Sequence, residues 1–244
     1  MSRIRVSAVS YTNTKPFVYG LEHSGIMDEI DLTLDIPSDC ARKLIDNKAD
    51  IGLVPVAALL NIPGYKILSD FCIGANGAVN SVFIFSTKPI GEVKTVRLDL
   101  QSRTSNALAR ILLREFWKVD VVFSDSPDTD AYVEIGDRTF GKAEKVPFAY
   151  DLAEAWKSFT GLPFAFAVWA SNRELEPSFI TRFNEALSYG LEHRPELLKA
   201  LPPNPDIDLE DYLLHKIDYA LTADKKEAID LFLSYLKQIY AIST

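Results

Sequence analysis

Short hydroxyl and amide side chains gather at four places in this chain, each beside a segment patterned like a β-strand. Ser10-Tyr11-Thr12-Asn13 follow the alternating run Ile4–Val9, and Asn76-Gly77-Ala78-Val79-Asn80-Ser81 lead into the apolar run Val79–Ser86. Ser102-Arg103-Thr104-Ser105 follow Val96–Leu100 and open a helix, and Gly136-Asp137-Arg138 follow Ala131–Ile135. Groups of this kind suit a small carboxylate. The third cluster is the most readable, because a helix N-terminus exposes unpaired N–H groups and carries about half a positive charge. Thr104 and Ser105 add hydroxyl donors there, and Arg103 adds a charge. Each cluster also has a plainer use. Ser102 or Thr104 would cap the helix without any ligand, and Asn13 would bond its own turn. Tyr11 would serve as a core aromatic, Asp137 as a cap or a partner of Arg138, and Asp99 as the organiser of the loop after it.

Other chemistries find little support. Gly74, Gly77 and Gly136 form neither G-x-G-x-x-G nor a P-loop, so nucleotide binding is not indicated. His23, His193 and His215 are far apart and lack ligand spacing, so neither a metal nor a cofactor is expected. Cys40 and Cys72 have no CxxC spacing and are expected as buried free thiols. The net charge of −8, without a Lys/Arg stripe, argues against a nucleic-acid partner. No run approaches the roughly 20 apolar residues of a membrane span, and the N-terminus lacks the pattern of a signal peptide. A cytoplasmic protein acting on a small molecule is the expectation, with its oligomeric state left open.

The elements that must position these groups alternate strand and helix. Pro16 sits in the first turn of a helix closed by Gly25, and Ser38 is placed to cap the next, which carries Ala41, Leu44 and Ile45. Ile51–Val54 is a strand, and Pro55 restarts a short helix. A helix over Leu108, Ile111, Leu112 and Phe116 precedes strands at Asp120–Phe123 and Ala131–Ile135. A further helix spans Leu152–Phe159, with Trp156 and Trp169 expected in the core, and Pro163–Ala170 is a buried strand. Beyond it the pattern is helical, with stripes Phe179, Ile180, Phe183, Leu187, Leu191 and Ile229, Phe232, Leu233, Leu236, Tyr240, the second entered through Thr222 and separated by the loop Pro202–Pro205. Alternating βα units imply α/β architecture with parallel sheet. Val79–Ser86 and Pro163–Ala170 are placed to cross between two lobes, one holding residues 1–84 and 170–244 and the other 85–169. A ligand would sit in the cleft between them.

Taken together, these blocks resemble the chorismate dehydratase family of menaquinone biosynthesis. The matching segments are Ala8–Pro16, Asp50–Pro55, Leu98-Asp99 with Ser102–Ser105, Ile135-Gly136-Asp137 and Gly161–Trp169, in the family's order. Val56 stands where the family often has Ser, and Arg138-Thr139 where small and apolar residues are usual. The resemblance implies a two-lobed type II periplasmic-binding-protein-like fold and cofactor-independent loss of water from chorismate, giving 3-[(1-carboxyvinyl)oxy]benzoate. It also implies roles. Asn13 would orient the substrate and polarise the departing hydroxyl or the developing enolate. Thr104 and Ser105 would hold one carboxylate, while Ser10, Ser81 and their neighbours Tyr11 and Arg103 would contact the other polar groups. The proton would go to the substrate's own enolpyruvyl carboxylate or to Asp137. Two alternatives stay open: the dihydroxynaphthoate synthase of the same route, disfavoured by the absence of a motif histidine, and a non-enzymatic carboxylate-binding module.

Overall fold

The computed structural model describes residues 3–242. The chain opens with β1 (Ile4–Val9), α1 (Lys15–His23), β2 (Ile30–Asp35), α2 (Pro37–Ile45), β3 (Ile51–Pro55) and β4 (Lys66–Ala75). It continues through β5 (Val82–Ser86), β6 (Thr95–Arg97), α3 (Arg103–Ile111), β7 (Val122–Phe123), β8 (Ala131–Ile135) and β9 (Phe148–Asp151). The remainder is α4 (Leu152–Thr160), β10 (Phe164–Ser171), α5 (Pro177–Glu192), α6 (Arg194–Ala200), α7 (Leu209–Asp211), β11 (Asp218–Ala220) and α8 (Ala223–Ile242).

The strands form two sheets, ordered β11-β4-β10-β3-β1-β2 and β7-β6-β8-β5-β9. This is the expected two-lobed α/β architecture, but neither sheet is purely parallel. β1 runs parallel to β2 and β3, as βα crossovers require. β10 is antiparallel to both its neighbours, β3 and β4, because the chain re-enters the first sheet from the second. β5 is likewise antiparallel to β8 and β9.

All eight residues of β10 and all five of β5 are buried, which explains their unbroken apolar runs. Each lies wholly within one sheet, so the change of lobe occurs in the segments that precede them. We propose a lobe division that follows the sheets, residues 3–78 with 162–242 against 79–161, in place of boundaries at 84/85 and 169/170. Trp156 and Trp169 are fully buried, and Cys40 and Cys72 are buried free thiols. Burial pushes both thiols up to about 12.

Several details differ from expectation. Pro37 takes the first position of α2 with Ile36 as its N-cap, so Ser38 lies inside the helix and caps nothing. β2, β4 and β9 carry too many exposed or polar positions to stand out in sequence, and β11 interrupts the stretch expected to be all helix. Its attachment is explicit. Lys225, fully buried in α8, donates to the carbonyls of Asp218 (2.8 Å) and Ala220 (2.6 Å) and pairs with the Asp218 carboxylate at 2.8 Å. The α1–α5 contact is equally tight. A Cβ on Gly20 would lie 2.0 Å from the Ala186 carbonyl oxygen, so the two backbones meet with no room for a side chain.

Asp50 ties the start of β3 to its neighbours. Its carboxylate accepts from the Arg5 N–H (2.9 Å) and from Arg5 Nε and Nη2 (3.1 and 2.8 Å), and Arg173 Nε lies 3.2 Å away. Burial works to raise this carboxyl, but the two guanidiniums and the backbone N–H hold it below the ordinary range. A depressed folded value means stability that is present above the ordinary value of about 4 and is lost as pH falls through the folded value. Asp50→Asn is therefore expected to cost about 2 kcal/mol in urea unfolding at pH 7. The gap between variant and wild type should close as the pH is taken below about 4.

Candidate active site

The carboxyl ends of β1, β3 and β4 and the amino end of β10 converge on one side of a cleft. Opposite them stand the amino end of β5, the carboxyl end of β8 and the N-terminus of α3. The cavity between is lined by Tyr11, Asn13, Thr14, Ser81, Ser102, Thr104, Ser105 and Gly136, with apolar side chains that include Val9, Ile73, Val82, Ile135 and Phe166. Its free volume is about 60 Å³, well under the roughly 300 Å³ at the small end of ligand sites.

Asn13 sits in the single 3-10 turn Thr12–Thr14 between β1 and α1. Its side-chain oxygen accepts from the Thr14 hydroxyl at 3.2 Å, and its main-chain carbonyl accepts from Tyr219 at 2.9 Å. The turn is held from the other lobe. Asp137 accepts the Thr12 N–H at 3.1 Å and the Thr12 hydroxyl at 2.9 Å. Tyr11 donates to the Gln101 side chain, and its ring lies against Gly136, where φ is +65° and a Cβ would come within 3.0 Å of the ring. Burial raises the Tyr11 phenol above its ordinary value, against the pull of Arg138.

At α3 the plainer reading of Ser102 holds: it is the N-cap, accepting the Ser105 N–H at 3.1 Å and bonding the Ser105 hydroxyl at 2.8 Å. Between them the two serines still leave one hydroxyl proton unspent. Thr104 accepts the buried Ala57 N–H at 3.1 Å, which joins the lobes and leaves the threonine proton free. Asp99 organises the loop before α3, accepting the Gln101 N–H at 2.7 Å, and it also takes Arg138 in an ion pair at 2.6 Å.

Five of the residues picked out in sequence therefore come together in the wall: Tyr11, Asn13, Ser81, Thr104 and Ser105. Three do not. Ser10 is exposed, because strand alternation sends it away from the face that Val9 presents, and its N–H donates to the Asp35 carbonyl. Arg103 is exposed at the first position of α3, a helical step away from Thr104. Asp137 stands behind the turn that carries Asn13, with its oxygens on Thr12, and not in the wall.

Sequence reasoning missed the support behind the wall. Tyr212 is buried and donates to Ser81 Oγ at 2.8 Å. Asp151 caps α4 through the Ala153 and Glu154 N–H groups and also accepts those of Val79 (2.9 Å) and Asn80 (2.7 Å), fixing the loop that ends in Ser81. Burial pushes its carboxyl up to about 6 while these donors pull the other way. No carboxylate, imidazole or amine lies among the described residues that line the cavity, and no cluster of acidic, His or Cys side chains among the described residues is arranged to hold a metal.

Residues 4–238 match a family model described as menaquinone biosynthesis. The chain belongs to that family. A curated relative, the chorismate dehydratase of Thermus thermophilus, is 26% identical over 220 residues, covering 78% of each chain. Among solved structures, protein AF1704 of Archaeoglobus fulgidus superposes with a TM-score of 0.72 at 16% identity, over 99% of this chain and 97% of that one. A Candida albicans gene product described as having the generic periplasmic binding protein fold gives 0.61 at 12% identity, over 98% and 90%. The periplasmic aliphatic sulphonate binding protein of Escherichia coli gives 0.58 at 14%, over 96% and 92%. These likenesses establish the fold. Within this menaquinone biosynthesis chain no described helix is long and apolar enough to cross a membrane.

The shared bond at Thr104 makes a stability prediction. Thr104→Val keeps the shape but leaves the buried Ala57 N–H without an acceptor, and it should lower unfolding free energy by about 2 kcal/mol in urea titrations.

Proposed function

We propose that this protein is a chorismate dehydratase, a cytoplasmic lyase that needs no cofactor. The observation that carries the reading is the chemistry of the cavity wall, which joins hydroxyls, one carboxamide and an open helix N-terminus to apolar side chains. It suits a ring bearing carboxylates and offers no strong protein base. Family membership and the activity of the Thermus thermophilus relative point the same way.

In the reaction, the C–H bond at the ring carbon bearing the enolpyruvyl ether breaks and its electron pair enters the ring. The hydroxyl on the neighbouring carbon leaves, and with the released proton it makes water. The product, 3-[(1-carboxyvinyl)oxy]benzoate, is aromatic, so the driving force comes from the substrate and the protein's task is orientation. The α3 N-terminus, with the N–H groups of Arg103 and Thr104 and the unspent hydroxyl protons, holds one carboxylate. Asn13 and Ser81 face the ring from opposite lobes and stabilise the charge that develops as the proton leaves. The substrate's enolpyruvyl carboxylate accepts that proton. Asp137 acts indirectly, holding Thr12 and so the turn of Asn13. A cavity of about 60 Å³ requires the lobes to part for substrate to enter.

Purified protein incubated with chorismate is expected to generate an aromatic product seen by ultraviolet absorbance and mass spectrometry. Binding without product would instead favour a carboxylate-binding module. Asn13→Ala should lose on the order of 100-fold in kcat, the scale of removing a preorganised donor. Near-normal turnover by the folded variant would remove Asn13 from the mechanism. Asp137→Asn keeps one acceptor for Thr12 and should retain turnover within about tenfold. A loss of about 1,000-fold, with chorismate still bound, would mark Asp137 as the base instead.

A further inference from the structure

We infer that Tyr212, which lies behind the cavity wall, is a positioning residue for the dehydration, fixing the Ser81 hydroxyl as a donor and aligning it with Asn13. This rests on the reaction assigned above. Tyr212 opens the five-residue π-helical turn Tyr212–Lys216; a second such turn, Leu112–Phe116, follows α3 and contributes nothing to the cavity lining. Its ring packs edge-on against Phe140, with centroids 5.2 Å apart at 77°. A buried tyrosine must place its hydroxyl on a partner. Here the partner is a side chain of the cavity wall: Tyr212 gives its proton to Ser81 Oγ at 2.8 Å.

A serine hydroxyl has one proton. With Tyr212 donating to its oxygen from behind, Ser81 keeps its own O–H free to point into the cavity. Asn13 belongs to the same lobe as Tyr212, and its main-chain carbonyl accepts from Tyr219 at 2.9 Å. One short stretch, residues 212–219, thus reaches both groups assigned to the reacting ring. Burial pushes both phenols far above their ordinary range, so each stays a donor throughout the working pH range.

The test is Tyr212→Phe, which keeps the ring against Phe140 and removes only the hydroxyl. The expected result is a kcat lowered about tenfold or more with KM within about threefold, the pattern of an interaction made in the transition state. Melting should stay within about 5 °C of wild type, the shift that one hydrogen bond produces in a chain of this size. Because Tyr212 works through Ser81, the double variant with Ser81→Ala should turn over no more slowly than Ser81→Ala alone. Turnover by Tyr212→Phe within twofold of wild type, or losses that multiply in the double variant, would overturn the assignment. If the wild type makes no product from chorismate, the reaction assigned above fails separately. The same pair is then decided by a double-mutant cycle on thermal unfolding, where independence of the two sites would overturn the Tyr212–Ser81 coupling.

Discussion

The Asp137 carboxylate takes both the N–H and the hydroxyl of Thr12, and this reach from one sheet's loop to the other's holds the site in register. Asn13 follows Thr12 directly, so the orientation of its carboxamide is inherited from a bond made by a residue of the opposite lobe. The same device recurs where Thr104 accepts the Ala57 N–H and where Ser81 accepts the Tyr212 hydroxyl. In each case an oxygen of the second lobe accepts a proton from a group of the first. None of these bonds need be strong. A neutral hydrogen bond contributes about 1 kcal/mol net, but a buried donor left unpaired costs more. The lobes therefore meet in one registration because any other would strand several polar groups at once.

The same bookkeeping of protons gives the site its chemical character. Ser81, Thr104 and Ser105 each receive a structural proton and keep their own hydrogen, whereas Tyr11, Thr14 and Ser102 spend theirs on neighbouring side chains. The cavity thus presents three hydroxyl protons to a ligand. In a chain with net charge −8, this is how an anion can be received without a cation in the wall. The attraction is local, supplied by the α3 N-terminus and by hydroxyl protons fixed in direction.

Much of this is legible in the sequence. β1 and β8 have the predicted bounds, and the buried β10 differs from its expected run by one residue at each end, because unbroken or alternating apolar patterns admit few readings. The polar clusters at strand ends are legible for the same reason: a strand that ends at a sheet's carboxyl edge delivers the next few residues into the cleft. What the pattern does not carry is direction within a cluster. Ser10 and Arg103 sit one residue from true wall positions, yet strand alternation and the helical step turn them outward. Asp137 stands out in the sequence, but its expected partner is the wrong one, since Arg138 pairs with Asp99 instead. The tyrosines at 212 and 219 are invisible there, because their partners lie 131 and 206 positions away and a lone tyrosine in a helical stretch resembles any core aromatic.

Those distant tyrosines explain why the C-terminal third does more than cover a sheet. β10 returns the chain to the first sheet, and α5 and α6 carry it across that lobe before residues 212–219 come back to the cleft. β11 then pairs with β4, and the buried Lys225 locks it there through two carbonyls and a carboxylate. The two segments that carry wall chemistry, 11–14 and 81, belong to opposite lobes and can be aligned only by something that touches both. Tyr212 does so from behind, where it is kept dry and needs no contact with the substrate. A rear support of this kind can persist while the front of the cavity opens, provided that the lobes hinge about it.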